Sequence, residues 1–461
     1  MITELSHPAY RRDLGGGLVL HWSTAADVQR IGELYAFVFR DKAEDPPNQY
    51  TPAWTQDLMS GQHPLIGAGD FALVENSDGP STSSGVAGAI VAATCLMRQT
   101  WEYDQIAFPV GRPEIVATMP DFRNRGLIRS IFELIHARSA AEGHLAQGIT
   151  GIAYYYRQFG YEYALDLDGR RSVYLAATPK LKPGDSEPYT LRAATSKDLP
   201  QALALYDRER ARGPISAQTD ADYWRWVLEG QNPAAGEGWG IWMIVGAAGD
   251  RAPVGYLLTN RRLRNDRLSV VGLALEPGVA LPTLLPSLLR ALQGLALAMP
   301  PSLPDRTPVA RIVFALYASH PIYDALGAGL TADVEPPYAW YVRVPDLPQF
   351  IRRIAPALER RLAGSSASGY TGELTLNFFR SGLRLVFEQG RLTDAADFRA
   401  EGWDPHYNAG FPPLVFLQLL FGRRSLAELR HIFPDIYADQ IGRSLLEALF
   451  PARPSWVLPL E

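Results

Sequence analysis

The stretch Glu114-Ile115-Val116-Ala117-Thr118-Met119-Pro120-Asp121-Phe122-Arg123-Asn124-Arg125-Gly126-Leu127-Ile128-Arg129 combines residue types that suit one chemistry. A run rich in β-formers ends at Pro120. A short turn follows, carrying Arg123, Arg125 and Gly126. Ile128, Ile131, Phe132 and Ile135 then recur at helical spacing and predict one buried helix face. A strand, a basic turn and a helix start, in that order, leave amide N–H groups that the helix cannot pair internally. With the positive end of the helix dipole behind them, these groups bind a diphosphate. Gly126 lets the backbone approach the phosphates closely, and the two arginines add charge-assisted hydrogen bonds.

The chain that must position this turn has 461 residues, enough for about two to four domains. Its 47% apolar and 20% charged residues are an ordinary globular balance that can fill several cores. A net charge of -5 without a long basic run argues against nucleic-acid binding. The one cysteine, Cys95, lies in the apolar run Val91 to Met97 and reads as a buried structural thiol. A single cysteine excludes an internal disulfide and fits a reducing, cytoplasmic setting. Met1 to Asp13 is polar and lacks the apolar segment of a signal peptide. Leu281 to Met299 is broken by Pro282, Pro286, Arg290 and Gln293, so it predicts a buried helix and no membrane partner. The eight histidines show no metal-ligand spacing, and no metal is expected.

Proline, glycine and mixed charge mark Ala176 to Pro188 as a linker. Asn76 to Gly85 predicts a surface hairpin loop. Three units follow: 1–178, 185–343 and 344–461. The first two repeat weakly. Ser23-Thr24 and Thr195-Ser196 cap helices in which Asp27 and Asp198, and Tyr35 and Tyr206, share an offset of 171 residues. Tyr156-Arg157-Gln158-Phe159-Gly160 parallels Tyr323-Asp324-Ala325-Leu326-Gly327. The third unit begins with an amphipathic helix, Leu347 to Leu362, and a flexible loop, Gly364 to Gly369. Alternating Leu374, Leu376, Leu383, Leu385 and Phe387 predict a hairpin turned at Ser381-Gly382, with helices after it; Ser425 to Glu428 is a capping box.

The turn resembles the pyrophosphate loop of GNAT acetyltransferases. Arg123 and Gly126 match that pattern, while Ile128 stands where glycine or alanine is usual. Taken whole, the chain resembles the Enhanced Intracellular Survival family of acetyltransferases, through the Arg123 to Leu127 loop, the Tyr156 to Tyr161 segment, the second half and the short last unit. The resemblance implies an α+β chain of tandem GNAT (acyl-CoA N-acyltransferase) domains followed by a sterol-carrier-protein-like domain. It implies acetyl-CoA as co-substrate, bound by Arg123, Asn124, Arg125, Gly126, Leu127 and Ile128, with backbone groups of Val116, Ala117 and Thr118 holding the pantetheine arm. It implies a degenerate second half, where the equivalent turn reads Leu275 to Pro282 without an arginine and Pro282 removes a donor. It also implies a homo-oligomer, a hexamer in the family.

Acetyl transfer to a primary amine needs a neutral amine, a stabilised oxyanion and a proton for the leaving thiolate. Direct attack in a ternary complex needs no enzyme nucleophile. The resemblance puts the acid on Tyr156 and the base on the main-chain carboxylate of Glu461; Glu114, on the strand before the loop, is the alternative base. Phe37, Phe39, Trp101 and Tyr103 lie on elements that flank the acceptor cleft of the fold, with Asp41, Glu44 and Asp45 after the first helix. The acceptor is a small-molecule or lysine amine. The competing reading is a non-catalytic acetyl-CoA or lipid-binding protein on the same scaffold.

Overall fold

A computed structural model describes residues 2–40, 42–77, 88–246, 252–301, 307–400, 402, 406–455 and 457–460. Three sheets organise them, of nine, seven and five strands.

The first sheet is built around the long strand Ala89–Tyr103, whose residues alternate between two covered faces. Ala93, Cys95 and Met97 pack under the helices Val28–Val38 and Thr51–Met59, with Ile31, Leu34, Tyr35 and Leu58. Ala92 and Leu96 face the helix Leu127–Ala141, through Leu127, Ile131, Leu134 and Ile135. Burial on both faces explains why this strand reads as a continuous apolar run. Cys95 is fully buried there, and burial pushes its thiol pKa well up.

The predicted repeat has a physical basis. Thr24 with Asp27 and Thr195 with Asp198 form matching capping boxes ahead of the helices Val28–Val38 and Leu199–Arg210. The second sheet repeats the order of the first, in the sequence Tyr189–Ala193, Trp239–Gly246, Pro253–Asn260, Arg267–Leu275, Arg311–Leu316, Gly169–Tyr174, Asp333–Glu335. The helix Leu281–Ala298 is long and apolar enough to cross a membrane by length and composition. Here it lies on this sheet, burying Leu284, Leu285, Leu288, Leu289 and Leu292.

The two halves exchange a strand. Gly169–Tyr174 precedes the linker, yet it pairs with Arg311–Leu316 and Asp333–Glu335 in the second sheet. Tyr338–Arg343 ends the second half, yet it lies between Ala146–Ile149 and Glu162–Leu167 in the first. Boundaries drawn at 178 and 343 therefore cut the chain between elements but not the sheets. Sequence periodicity predicts a strand and says nothing of which sheet receives it. A chain ending at residue 178 leaves Gly169–Tyr174 without its partners and Glu162–Leu167 detached from its sheet. Such a fragment is expected to show no cooperative urea transition by circular dichroism, whereas a sharp transition would contradict the dependence of the first sheet on the second half.

In the third unit the strands Gly372–Asn377 and Gly382–Glu388 form the expected hairpin, and Ser425 with Glu428 caps the helix Leu426–Ile432. Leu374, Leu376, Leu383, Leu385 and Phe387 fill one core with Phe350, Ile351, Ile354 and Leu358 of the helix Leu347–Ala363. The chain then returns to the first sheet.

Candidate active site

The strand Ile106–Thr118 keeps its neighbour Ala89–Tyr103 along its whole length. On its other edge it pairs in parallel with Ala146–Ile149 only at Val110 and Gly111. Past Gly111 the two strands part, and the edge from Arg112 to Thr118 borders a gap. A β-bulge accompanies the parting. The register shifts opposite Thr94, and Ile115 takes φ 56°. A β-branched residue in that region costs about 1–3 kcal/mol, so its surroundings must hold it. The Glu114 carbonyl does so, accepting from Thr94 Oγ1 at 3.3 Å and Cys95 Sγ at 3.5 Å. Bulges bend and twist their strand, which accounts for the gap.

The strand runs into the turn Pro120–Phe122 and then the helix start. Arg123, Asn124, Arg125 and Gly126 are exposed, while Leu127 is buried and anchors the turn. Gly126 caps the helix at φ 76° with open space where a Cβ would stand, so its role is conformational, and it leaves the amides uncovered. Arg125 lies over the Phe122 ring at 4.8 Å, and Arg123 Nε points back to the Thr118 carbonyl at 3.5 Å. Exposed amides, a positive dipole end and two arginines are the donors a diphosphate requires. Val116, Ala117 and Thr118 lie along the gap that leads there.

Across the gap, Tyr156 stands in the short turn Tyr155–Phe159. It is 3% exposed, packed against Phe132, Tyr161 and Tyr341. Its hydroxyl makes no hydrogen bond among the described residues. Burial holds its pKa well above the ordinary phenol value, and the charge of Glu114 raises it further. The group is therefore a neutral acid at physiological pH. The ring of Tyr341, from the exchanged strand, is 5.4 Å from that of Tyr156. Its hydroxyl donates to Tyr163 Oη at 2.6 Å or the Ile152 carbonyl at 3.0 Å, fixing the loop before Tyr156. Sequence reading missed Tyr341, because only the exchanged pairing brings it here.

The counterpart in the second half is spent. Tyr323 accepts from the Leu316 N–H at 3.0 Å and donates to the Gly169 carbonyl at 2.6 Å, with the Phe314 carbonyl at 3.0 Å. The helix start there has Ala280 as cap and Pro282 in its first turn.

The C-terminal segment packs against the strand that carries Glu114. Val457, Leu458 and Leu460 are buried. Trp340 Nε1 donates to the Val457 carbonyl at 3.2 Å, and Arg112 donates to the Leu460 carbonyl. Arg112 also grips Glu114, Nε to Oε1 at 2.8 Å and Nη2 to Oε1 at 2.7 Å. Arg112 is two residues before Glu114 on the same strand face, a spacing legible in the sequence but not singled out there. Glu461 and Trp456 lie outside the described residues. The segment, Glu114 and Thr150 border a cavity of about 490 Å³ whose far wall is the second sheet.

The proposed acceptor residues divide differently. Trp101 and Tyr103 are 0% and 1% exposed. Trp101 Nε1 donates to Gln99 Oε1, and Tyr103 donates to the Leu420 carbonyl at 2.6 Å, inside the junction with the third unit. Complete burial removes both from an acceptor pocket; their residue type signalled core. Phe37, partly buried under Arg40, lies in the last turn of the helix Val28–Val38, and Phe39, 40% exposed, caps its end; neither lines the cavity. Glu44 and Asp45 do not line it either, and Asp41 lies outside the described residues.

Residues 21–164 match the family described as acetyltransferase (GNAT) domain. Residues 21–164 thus carry a GNAT acetyltransferase domain. No curated protein sequence matches the chain. Among solved structures, a probable N-acyltransferase from Enterococcus faecalis V583 is similar at 12% identity and TM-score 0.65, covering 96% of this chain and 99% of that one. A GCN5-related N-acetyltransferase from Kribbella flavida gives 16%, 0.59, 96% and 98%. Eis1 from Mycobacterium abscessus gives 13%, 0.54, 94% and 98%. At these identities the likeness is one of fold, and it extends through all three units.

Proposed function

We propose that the protein is an acetyl-CoA-dependent N-acetyltransferase that acts by direct attack in a ternary complex, with one active site per chain. The observation that carries this reading is the pair of tyrosines. Tyr156, on a buried ring, keeps a hydroxyl without a hydrogen-bond partner among the described residues, near the charge of Glu114, whereas Tyr323 is tied to backbone. Acetyl-CoA, when bound, supplies an acetyl thioester. Arg123, Arg125 and the amides after Gly126 hold its diphosphate, and the strand edge from Val116 to Thr118 aligns its arm. Glu461, through its main-chain carboxylate, takes the amine proton; Glu114 is the alternative base, although Arg112 already grips it. As the N–C bond forms and the C–S bond breaks, Tyr156 gives its proton to the departing sulfur. The third unit, proposed as sterol-carrier-like, orders the tail; its core is filled by its own side chains together with Tyr103 and Phe108 of the first unit, which disfavours a lipid-carrier reading. A homo-oligomer is part of the same proposal.

Calorimetry tests the site count. Acetyl-CoA is expected to bind one site per chain. Arg123→Ala removes a charged contact and weakens binding about tenfold or more. Two equivalent sites would overturn the assignment of a single competent half. Acetylation of an amine panel with stoichiometric thiol release tests the activity, and binding without turnover would favour the non-catalytic alternative.

A further inference from the structure

Four arginines face the cavity between the first two units: Arg112, Arg170, Arg264 and Arg267. Three are matched by the cavity's own acids. Arg112 holds Glu114, Arg170 holds Asp168 at 2.7 Å, and Arg264 holds Glu237. Arg267 is left over. Its guanidinium makes no hydrogen bond among the described residues. The carboxylate it faces is Glu335, at 3.8 Å, which Arg170 shares at 3.6 Å. Glu335 stands half in solvent on an edge strand, where water screens the pair. Arg267 itself is 28% exposed, enclosed enough for its charge to act and open enough to be met. It lies on the wall formed by the second half, whereas Glu114 and the tail form the wall that borders the parted strands.

We propose that Arg267 is the anion subsite of the acceptor cavity, so that the preferred acceptor is an amine that also carries a carboxylate or phosphate group. The inference rests on the acetyl-transfer reading above. The amine is held towards Glu114 and the tail, where it loses its proton and gains the acetyl group. The anion takes the guanidinium that no carboxylate of the cavity satisfies. Arginine suits this task because its planar fork binds carboxylate or phosphate through two hydrogen bonds. A cavity lined only by acids would select polycationic amines; among the described lining residues this one sets four arginines against three carboxylates, with the unmatched guanidinium on the wall opposite the tail.

The test compares 5-aminopentanoate, 3-aminopropyl phosphate and pentylamine as acceptors. The two anionic acceptors should exceed pentylamine in kcat/KM by about tenfold or more, carried by KM. Which of them is better separates carboxylate from phosphate. In Arg267→Gln the preference should fall to near one, and Arg267→Lys should restore part of it. Equal use of charged and neutral acceptors by the wild type, or a preference that survives Arg267→Gln, overturns the subsite. Calorimetric titration of 5-aminopentanoate without acetyl-CoA reads the subsite independently of turnover. Binding lost in Arg267→Gln supports the subsite even if no acceptor is acetylated, a result that would sink only the transferase reading. No binding to the wild type overturns the subsite itself.

Discussion

Deleting Trp456 to Glu461 should lower kcat by about 10²–10⁴-fold, the usual range for loss of a general base, while acetyl-CoA affinity stays within about twofold. The reason is where the tail ends. Leu460 hands its carbonyl to Arg112, the residue that also holds Glu114, so the described part of the tail reaches the strand that borders the gap. The energetics are finely balanced. Full burial of Val457, Leu458 and Leu460 contributes about 1.5–3 kcal/mol each, and fixing each backbone residue costs about 1–2 kcal/mol. The hydrogen bonds from Trp340 and Arg112 therefore decide whether the tail docks. Proline at 451, 454 and 459 lowers the entropy lost. Residues appended after Glu461 turn its carboxylate into an amide and should reproduce most of the loss. The check is steady-state kinetics beside calorimetry of the same truncated protein. Full turnover in a folded, truncated chain would leave Glu114 as the base.

The second large effect falls on Tyr156. Tyr156→Phe removes only the hydroxyl, which has no partner among the described residues, so stability should barely change while kcat drops about 10²-fold or more. Tyr323→Phe should do the reverse. It leaves the buried Leu316 N–H without its acceptor and should cost about 1–3 kcal/mol of stability, with turnover kept. The pH profile carries a sign. Burial raises the Tyr156 pKa, so the acid form persists through and beyond the ordinary phenol titration near 10. Activity should therefore rise with pH as the amine and base lose protons, with no descending limb below about pH 10. A limb near pH 8 that vanishes in Tyr156→Phe would contradict the role. Combining the tail deletion with Tyr156→Phe should cost less than the product of the two losses, because both serve one step.

Local signals were legible in the sequence where one segment settles the matter. The strand, turn and helix start around Gly126, the capping box from Ser425 to Glu428 and the Leu374 to Phe387 hairpin follow from nearest neighbours, and each stands as read. Pairing between distant segments was not legible. Tyr338–Arg343 alternates like any strand, and nothing within it names Glu162–Leu167 and Ala146–Ile149 as partners. Tyr341 and the cavity wall were therefore missed together. Trp101 and Tyr103 were misplaced for a related reason: an aromatic residue has the same identity in a cleft and in a core, and only the third unit's position decided between them. The bulge at Ile115 has no local signature either, since a β-branched residue is the last expected at φ 56°.

The most direct test of one competent site working by direct transfer is a single-turnover mixing experiment with intact-mass detection. Protein saturated with acetyl-CoA is mixed with excess amine, and acetylated amine, free thiol and protein mass are followed together. The account predicts one acetylated amine and one thiol per chain in the first turnover, formed at the same rate, with the protein mass unchanged when the amine is withheld. Thiol release without amine accompanied by a protein heavier by one acetyl group, or two products per chain in the first turnover, would contradict it.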